Sequence, residues 1–110
     1  MEMKLYTVDK PLMDWAKSHR YEINHDVLEQ CEEKLNNPDG SFRVDVALLK
    51  TEGGITKFVI KDIPGIIQSL TIAMNFFVEI EEYLLAARAR DCIAAWSEIE
   101  QLKDANNTNR

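Results

Sequence analysis

The stretch SFRVDVALLKTEGGITKFVIKD, residues 41–62, decides the fold because it contains the clearest pair of strands in the chain. In its first half apolar side chains recur at every second position, at Phe42, Val44, Val46 and Leu48. Residues 51–54 then supply two glycines for a tight turn, and residues 55–61 return as a second strand. The sequence therefore predicts a β-hairpin, one face of which must be covered, since a lone hairpin is marginal in water.

The predicted cover is the apolar stretch that follows, IPGIIQSLTIAMNFFVEIEEYLLAA, residues 63–87. Asp62 and Pro64 are typical of a helix start. Apolar residues then recur at helical spacing at Ile66, Leu70, Ala73, Met74, Phe77, Ile80, Leu84 and Ala87. The period continues to Leu102, and neither Gly nor Pro interrupts it near residues 88–91. We therefore expect one long or gently bent helix, with a helical hairpin folded back near Arg88–Asp91 as the alternative.

The N-terminal third predicts three short elements. Residues 3–8 alternate and contain aromatic and β-branched side chains, which favours a short edge strand. Pro11 suits the first turn of a short helix that carries Trp15 on its apolar face. Asn24 is predicted as the N-cap of a second helix, which residues 36–40 end.

The predicted fold class is α+β. It comprises a short N-terminal strand, two short helices, one β-hairpin and a long C-terminal helix or helical hairpin, packed on a small antiparallel sheet. Residues 1–103 are expected to form a single domain, and residues 104–110 a disordered polar tail with almost nothing to bury. Trp15 and Trp96 stand at helical spacing and are predicted to lie in the core.

Charge and cysteine usage restrict the classes of partner and compartment. A net charge of −6 and a pI near 4.9 argue against direct nucleic-acid binding, which depends on Lys and Arg, and favour a basic protein partner. Cys31 and Cys92 lie in predicted helices, where they suit reduced thiols. The N-terminus lacks the basic and apolar blocks of a secretory signal, so we expect a cytoplasmic location.

The long apolar stretch raises the question of a membrane span. Its uncharged run is too short and contains polar side chains at Gln68, Ser69, Thr71 and Asn75, so we expect no membrane association. The apolar stripe is nevertheless broad for a hairpin and two short helices to cover. This excess favours a homodimer through the long C-terminal helix as the simplest way to bury it.

No residue pattern predicts catalysis, a metal site or a cofactor. His19, His25 and Cys31 are evenly spaced along the chain, but their spacing matches no zinc motif. Neither a nucleophile motif nor a phosphate-binding loop is present. We therefore predict no catalytic residue, no metal and no cofactor, and expect that the protein is not an enzyme.

A cluster of carboxylates follows the apolar run directly. Glu79, Glu81 and Glu82 precede Tyr83, so a negative field and an aromatic anchor would be presented together. These four residues are the predicted partner-binding site.

Two functional hypotheses follow from these observations. The first is a small acidic, non-enzymatic protein that inhibits or protects against a basic partner, in the manner of an immunity protein, an antitoxin or a phage-encoded inhibitor of a nucleic-acid-acting protein. The alternative is a small homodimeric enzyme, or a structural dimerisation module, with a pocket between the hairpin and the long helix. A closed pocket holding titratable groups would favour the enzyme, whereas an open acidic surface would favour the binding protein.

Overall fold

The fold is described by a computed structural model that covers residues 3–108, with side chains as far as Ala105. Within these residues the order of elements is β1 (Lys4–Thr7), α1 (Leu12–Ser18), α2 (Arg20–Asn36), β2 (Val44–Thr51), β3 (Gly54–Ile60), α3 (Ile63–Glu79) and α4 (Tyr83–Thr108). The architecture is a small α+β fold with a long C-terminal helix, as the sequence predicts.

The predicted hairpin is confirmed. β2 and β3 pair antiparallel, and Thr51 opposite Gly54 closes a two-residue turn formed by Glu52 and Gly53. Gly54, the first residue of β3, adopts φ +119°. The strand begins at Val44, two residues later than the alternation suggested. An irregularity in register between Asp45 and Ala47 lets consecutive residues of β2 lie in the core.

The sheet is mixed, whereas the sequence predicted an antiparallel one. β1 is an edge strand and pairs parallel with β2, from Lys4 opposite Ala47 to Thr7 opposite Lys50. The physical reason is the connection: α1 and α2 lie between the two strands and return the chain to the end of the sheet from which β1 began. β3 forms the other edge.

The second helix begins earlier than predicted. α2 starts at Arg20, immediately after His19 ends α1, and not after an N-cap at Asn24. Asn24 lies inside the helix, buried, and its side-chain amide donates to the backbone carbonyl of Arg20 at 2.8 Å. The side-chain amide therefore bonds to a backbone carbonyl four residues earlier in the same helix. In this position Asn24 does not cap a helix N-terminus.

The core lies between α2, α3, α4 and the inner face of the sheet. Trp15 and Trp96 are each 2% exposed, which confirms their predicted burial. The indole N–H of Trp96 donates to the carbonyl of Cys31 at 3.3 Å and so joins α4 to α2. The fully buried side chains include Leu28, Ile63, Ile66, Leu70 and Phe77.

The start of α3 follows the sequence prediction. Asp62 is the N-cap, and its carboxylate accepts a hydrogen bond of 2.8 Å from the amide of Gly65, with Pro64 in the first turn. A Cβ at position 65 would lie 2.9 Å from Oδ1 of Asp62 and 3.1 Å from Cγ2 of Ile60. A Cβ here would require the capping side chain of Asp62 to shift, so the close approach of cap and strand favours glycine.

The single long helix that the periodicity favoured is not formed. Instead α3 and α4 pack against each other as a helical hairpin, and the break lies at residues 80–82, not at the alternative position of Arg88–Asp91. α4 continues to Thr108, so the segment expected to be a disordered tail is helical as far as that residue. The remainder of the predicted tail, residues 109 and 110, lies outside the described residues.

Candidate functional site

The turn between α3 and α4 is built by a specific pattern of backbone hydrogen bonds. The amide of Glu82 donates to the carbonyl of Phe77 at 2.8 Å, and the amide of Glu81 donates to Val78 at 3.0 Å. This pair of bonds, spanning six and four residues, defines a Schellman motif at the end of α3. The carbonyl of Glu82 then accepts from Ala86 and begins α4, so one short turn reverses the chain.

Glu81 occupies the left-handed position of this motif, with φ +63°. Glycine is the usual residue at this position because a Cβ is disfavoured there. Among the described residues, Glu81 is the one non-glycine residue with positive φ. Residues with strained backbone conformations cluster at functional sites, so the conformation of Glu81 makes this turn a candidate functional site.

Apolar side chains are exposed on both sides of the turn. Val78 is 49% exposed, Ile80 40%, Tyr83 62% and Leu84 84%. The sequence pattern had assigned Ile80 and Leu84 to the buried stripe, which is wrong. The break at residues 80–82 interrupts the helical period, so positions on either side of it no longer share a face. We call residues 78–84 the acidic corner.

The carboxylates of the acidic corner differ in their surroundings. Glu79 lies 3.3 Å from Nη2 of Arg20, whose guanidinium also stands 4.6 Å from the ring centroid of Phe76. Glu81 and Glu82 are exposed and form no ion pair with any side chain in residues 3–105. The unpaired negative charge of the acidic corner therefore comes mainly from these two side chains.

The structure places all four predicted site residues, Glu79, Glu81, Glu82 and Tyr83, on the surface of one turn. The sequence did not predict that their neighbours Val78, Ile80 and Leu84 would be exposed. No glycine marks the turn in the sequence, and a glycine at position 81 would have been the signal that revealed it.

The two histidines serve local structure. Nδ1 of His19 lies 2.8 Å from the carbonyl of Trp15, and the imidazole stacks on the Trp15 ring at 4.3 Å. His25 lies inside α2, with Nδ1 2.7 Å from the carboxylate of Glu29. Within residues 3–105, no group of three or more His, Cys, Asp or Glu side chains could hold a metal ion.

An apolar groove of about 470 Å³ lies between the inner face of the sheet and helices α1 and α2, not between the hairpin and the C-terminal helices. Neither histidine lines it. Its titratable residues are Tyr6, Asp26 and Lys57, and both carboxylate oxygens of Asp26 are engaged, one by Tyr6 and one by Lys4. The groove therefore offers an apolar surface more than a set of acid and base groups.

Both cysteines are buried and reduced. Burial raises the pKa of the Cys92 thiol to about 12 and raises the pKa of Cys31 further still. Thiols held in the protonated form are poor nucleophiles. Cys31 and Cys92 thus act as small core side chains, in keeping with the sequence interpretation.

Comparison of the chain with protein-family models, with curated proteins and with solved structures finds no match. No helix in the described part of the chain is long and apolar enough to cross a membrane.

Proposed function

We propose that this chain is a small, non-enzymatic protein-binding protein that uses the acidic corner to bind a basic protein. The observation that carries the proposal is the exposure of Tyr83 and Leu84, 62% and 84%, directly beside the carboxylates of Glu81 and Glu82. Adjacent exposed apolar side chains rimmed by charged residues are typical of protein-interaction sites, whereas apolar side chains exposed singly are not.

The two kinds of side chain would contribute differently to binding. Burial of Tyr83 and Leu84 in a pocket of the partner would supply most of the affinity. The carboxylates would steer association with a basic surface and make its rate depend on salt. The net charge of −6 adds to this steering at long range. The backbone hydrogen bonds of the turn also restrict its conformation, which would reduce the entropy lost on binding.

Within this class we propose a role in inhibition of, or protection against, a basic protein that acts on nucleic acid. An immunity protein, an antitoxin and a phage-encoded inhibitor are the forms that such a role takes. The acidity of the chain supports this class of partner, and the proposed site of action is the cytoplasm.

The test begins with affinity capture from lysate of the native host at low and high salt. Basic proteins retained only at low salt are then purified, and their binding is measured by calorimetry. The decisive variant is Glu81→Lys with Glu82→Lys, which spares the ion pair between Glu79 and Arg20. We expect this variant to bind at least about tenfold more weakly.

A matched control carries the same change in charge elsewhere. Glu52 and Glu98 are exposed, in the hairpin turn and on α4, and the variant Glu52→Lys with Glu98→Lys is expected to bind like the unmodified protein. Leu84→Ser should also weaken binding, whereas Leu102→Ser, at a residue 63% exposed, should not. Equal losses in corner and control variants would show that net charge alone is recognised and would refute the site.

Self-association is the second candidate, because Ile72 of α3 is exposed on the same helix as Val78 of the acidic corner. Sedimentation equilibrium of the purified protein distinguishes the two. A dimer that Leu84→Ser dissociates would mean that the corner serves a second copy of the chain. A monomer would leave the corner available to a different protein.

A further inference from the structure

The edge of the sheet formed by β3 is a second surface, separate from the acidic corner. β3 pairs with β2 on one side, and no strand in residues 3–108 pairs with its other side. Backbone groups alternate in direction along a strand, and Gly54 faces Thr51 across the two-residue turn. The N–H and C=O groups of Ile55, Lys57 and Val59 therefore point outward from the sheet.

The side chains that alternate with these residues point toward the apolar groove, which Lys57 also borders. Thr56 and Phe58 line it together with Leu49 of β2 and with Leu12 and Met13 of α1. Leu12 is 53% exposed and Met13 71%, so α1 leaves the groove open. A strand placed beside β3 would direct every second side chain into this groove and the others to the outer face of the sheet.

The charge along this edge is opposite to that of the molecule. Residues 53–61 contain Lys57 and Lys61 and no carboxylate, in a chain with a net charge of −6. The Lys57 side chain is 47% exposed and lies 3.6 Å from Asp45, a long contact at the surface. A ligand carboxylate opposite Lys57 would therefore meet a cation that is only weakly paired.

We propose that the β3 edge binds an extended peptide segment as an additional antiparallel strand, with an acidic residue opposite Lys57 and an apolar residue on either side of it in the groove. Main-chain hydrogen bonds would supply affinity, and the groove and Lys57 would select the sequence. This site is independent of the acidic corner and of the proposed function.

A second copy of the chain fits this edge less well than a peptide. Antiparallel pairing of two β3 strands over their whole length would centre on Lys57 and set it directly opposite its equivalent in the other copy. Like charges opposite each other destabilise a strand pair, and an edge lysine is a common device against such pairing. A peptide carboxylate opposite Lys57 would replace this repulsion with attraction.

The probe is the synthetic peptide acetyl-Ser-Thr-Leu-Glu-Val-Thr-Ser-amide, titrated into the full-length ¹⁵N-labelled protein. We expect saturable shifts in the amide resonances of Ile55, Lys57 and Val59, and protection of these amides from hydrogen exchange. The variant Glu81→Lys with Glu82→Lys should bind the probe unchanged, so failure here is distinguishable from failure of the proposed function.

Two N-methylated probes test strand addition. In an antiparallel pair the glutamate N–H of the probe donates to the carbonyl of Lys57, so methylation of that nitrogen should weaken binding about tenfold. The leucine N–H of the probe points away from β3, and methylation there should have little effect. Equal effects of the two methyl groups, or shifts confined to α1, would show that the groove takes up apolar side chains without strand pairing and would overturn the proposal.

A charge exchange tests the position of Lys57. Lys57→Glu should weaken binding of the glutamate probe about fivefold and restore binding of a probe with lysine in its place. Unaltered affinities in this exchange would overturn the assigned register. A concentration-dependent dimer that protects the β3 amides without peptide would show that a second copy covers the edge, and absence of binding by every probe would likewise refute the site.

Discussion

The hydroxyl of Tyr6 on the edge strand β1 donates a hydrogen bond of 2.5 Å to Oδ2 of Asp26 on α2. Asp26 is 3% exposed, and Nζ of Lys4 lies 3.1 Å from its other oxygen. Burial, followed by the bond to Asp26, raises the pKa of the Tyr6 phenol well above its ordinary value. One buried carboxylate therefore attaches the short edge strand to the helix that covers it.

Tyr6→Phe should destabilise the protein by about 1.5–3 kcal/mol, because it removes a hydrogen bond to a buried carboxylate. Urea unfolding followed by circular dichroism measures the change. Tyr21→Phe is the control, since Tyr21 is 41% exposed and its hydroxyl forms no hydrogen bond within residues 3–105; it should cost less than about 0.5 kcal/mol. Similar midpoints for both variants would mean that the contact contributes nothing.

Glu81→Gly should stabilise the protein by about 1 kcal/mol, because glycine adopts the left-handed conformation of the α3–α4 turn without strain. Thermal unfolding and chemical unfolding both measure this gain in stability. Gln68→Gly, at an exposed position inside α3, should instead destabilise by about 0.5–1 kcal/mol. If both substitutions destabilise, the turn does not impose the strain that its φ angle indicates.

Gly65→Ala should destabilise the protein by about 1 kcal/mol or more, despite the better helix propensity of alanine. The new Cβ would displace the capping carboxylate of Asp62 and press on Ile60, which is only 5% exposed. Gly53→Ala is the matched control: its Cβ would lie 3.8 Å from Oγ1 of Thr51, an ordinary contact. A neutral Gly65→Ala would show that the cap tolerates repositioning.

Stability should fall as the pH rises above about 9, because the buried thiols keep their protons in the folded state. Their pKa values lie above the ordinary 9.0, at about 12 for Cys92, whereas both thiols ionise near 9 once the chain unfolds. The unfolded state then binds fewer protons, and the free energy of unfolding decreases with pH. Urea unfolding at pH 8, 9 and 10 measures the slope.

The double variant Cys31→Ala with Cys92→Ala is the control for this pH dependence. Its slope between pH 8 and 10 should be shallower, since only groups such as Tyr6, whose ordinary pKa is 10.0, still contribute. The same slope in both proteins would exclude the thiols as its cause. Slow reaction of the folded protein with a thiol reagent at pH 8 would be an independent sign of protonated cysteines.

The sequence predicted those elements whose signals are local. Alternation and two glycines determined the β2–β3 hairpin, and Asp62 with Pro64 marked the start of α3. The connection between α3 and α4 could not be predicted, because its left-handed residue is Glu81 and a backbone hydrogen-bond motif, not composition, forms it. The parallel pairing of β1 likewise depends on packing between distant segments.

The same distinction applies to the candidate site. Glu81, Glu82 and Tyr83 could be chosen from the sequence because charge and aromaticity stand out in a linear pattern. Ile80 and Leu84 could not, since their exposure follows from where the helix breaks. The role of these residues in binding stays a prediction.

From the parallel pairing of β1 with β2 we expect folding of the sheet to proceed in two stages. The hairpin can close from contacts between neighbours in about 1–10 μs, whereas Lys4 meets Ala47 only after α1 and α2 have brought the two strands together. During translation β1 is therefore made first and paired last. We expect pulse-labelling hydrogen exchange to detect protection of the β3 amides before that of the β1 amides. The newly made chain would then need α1 and α2 to form before its N-terminal strand can pair.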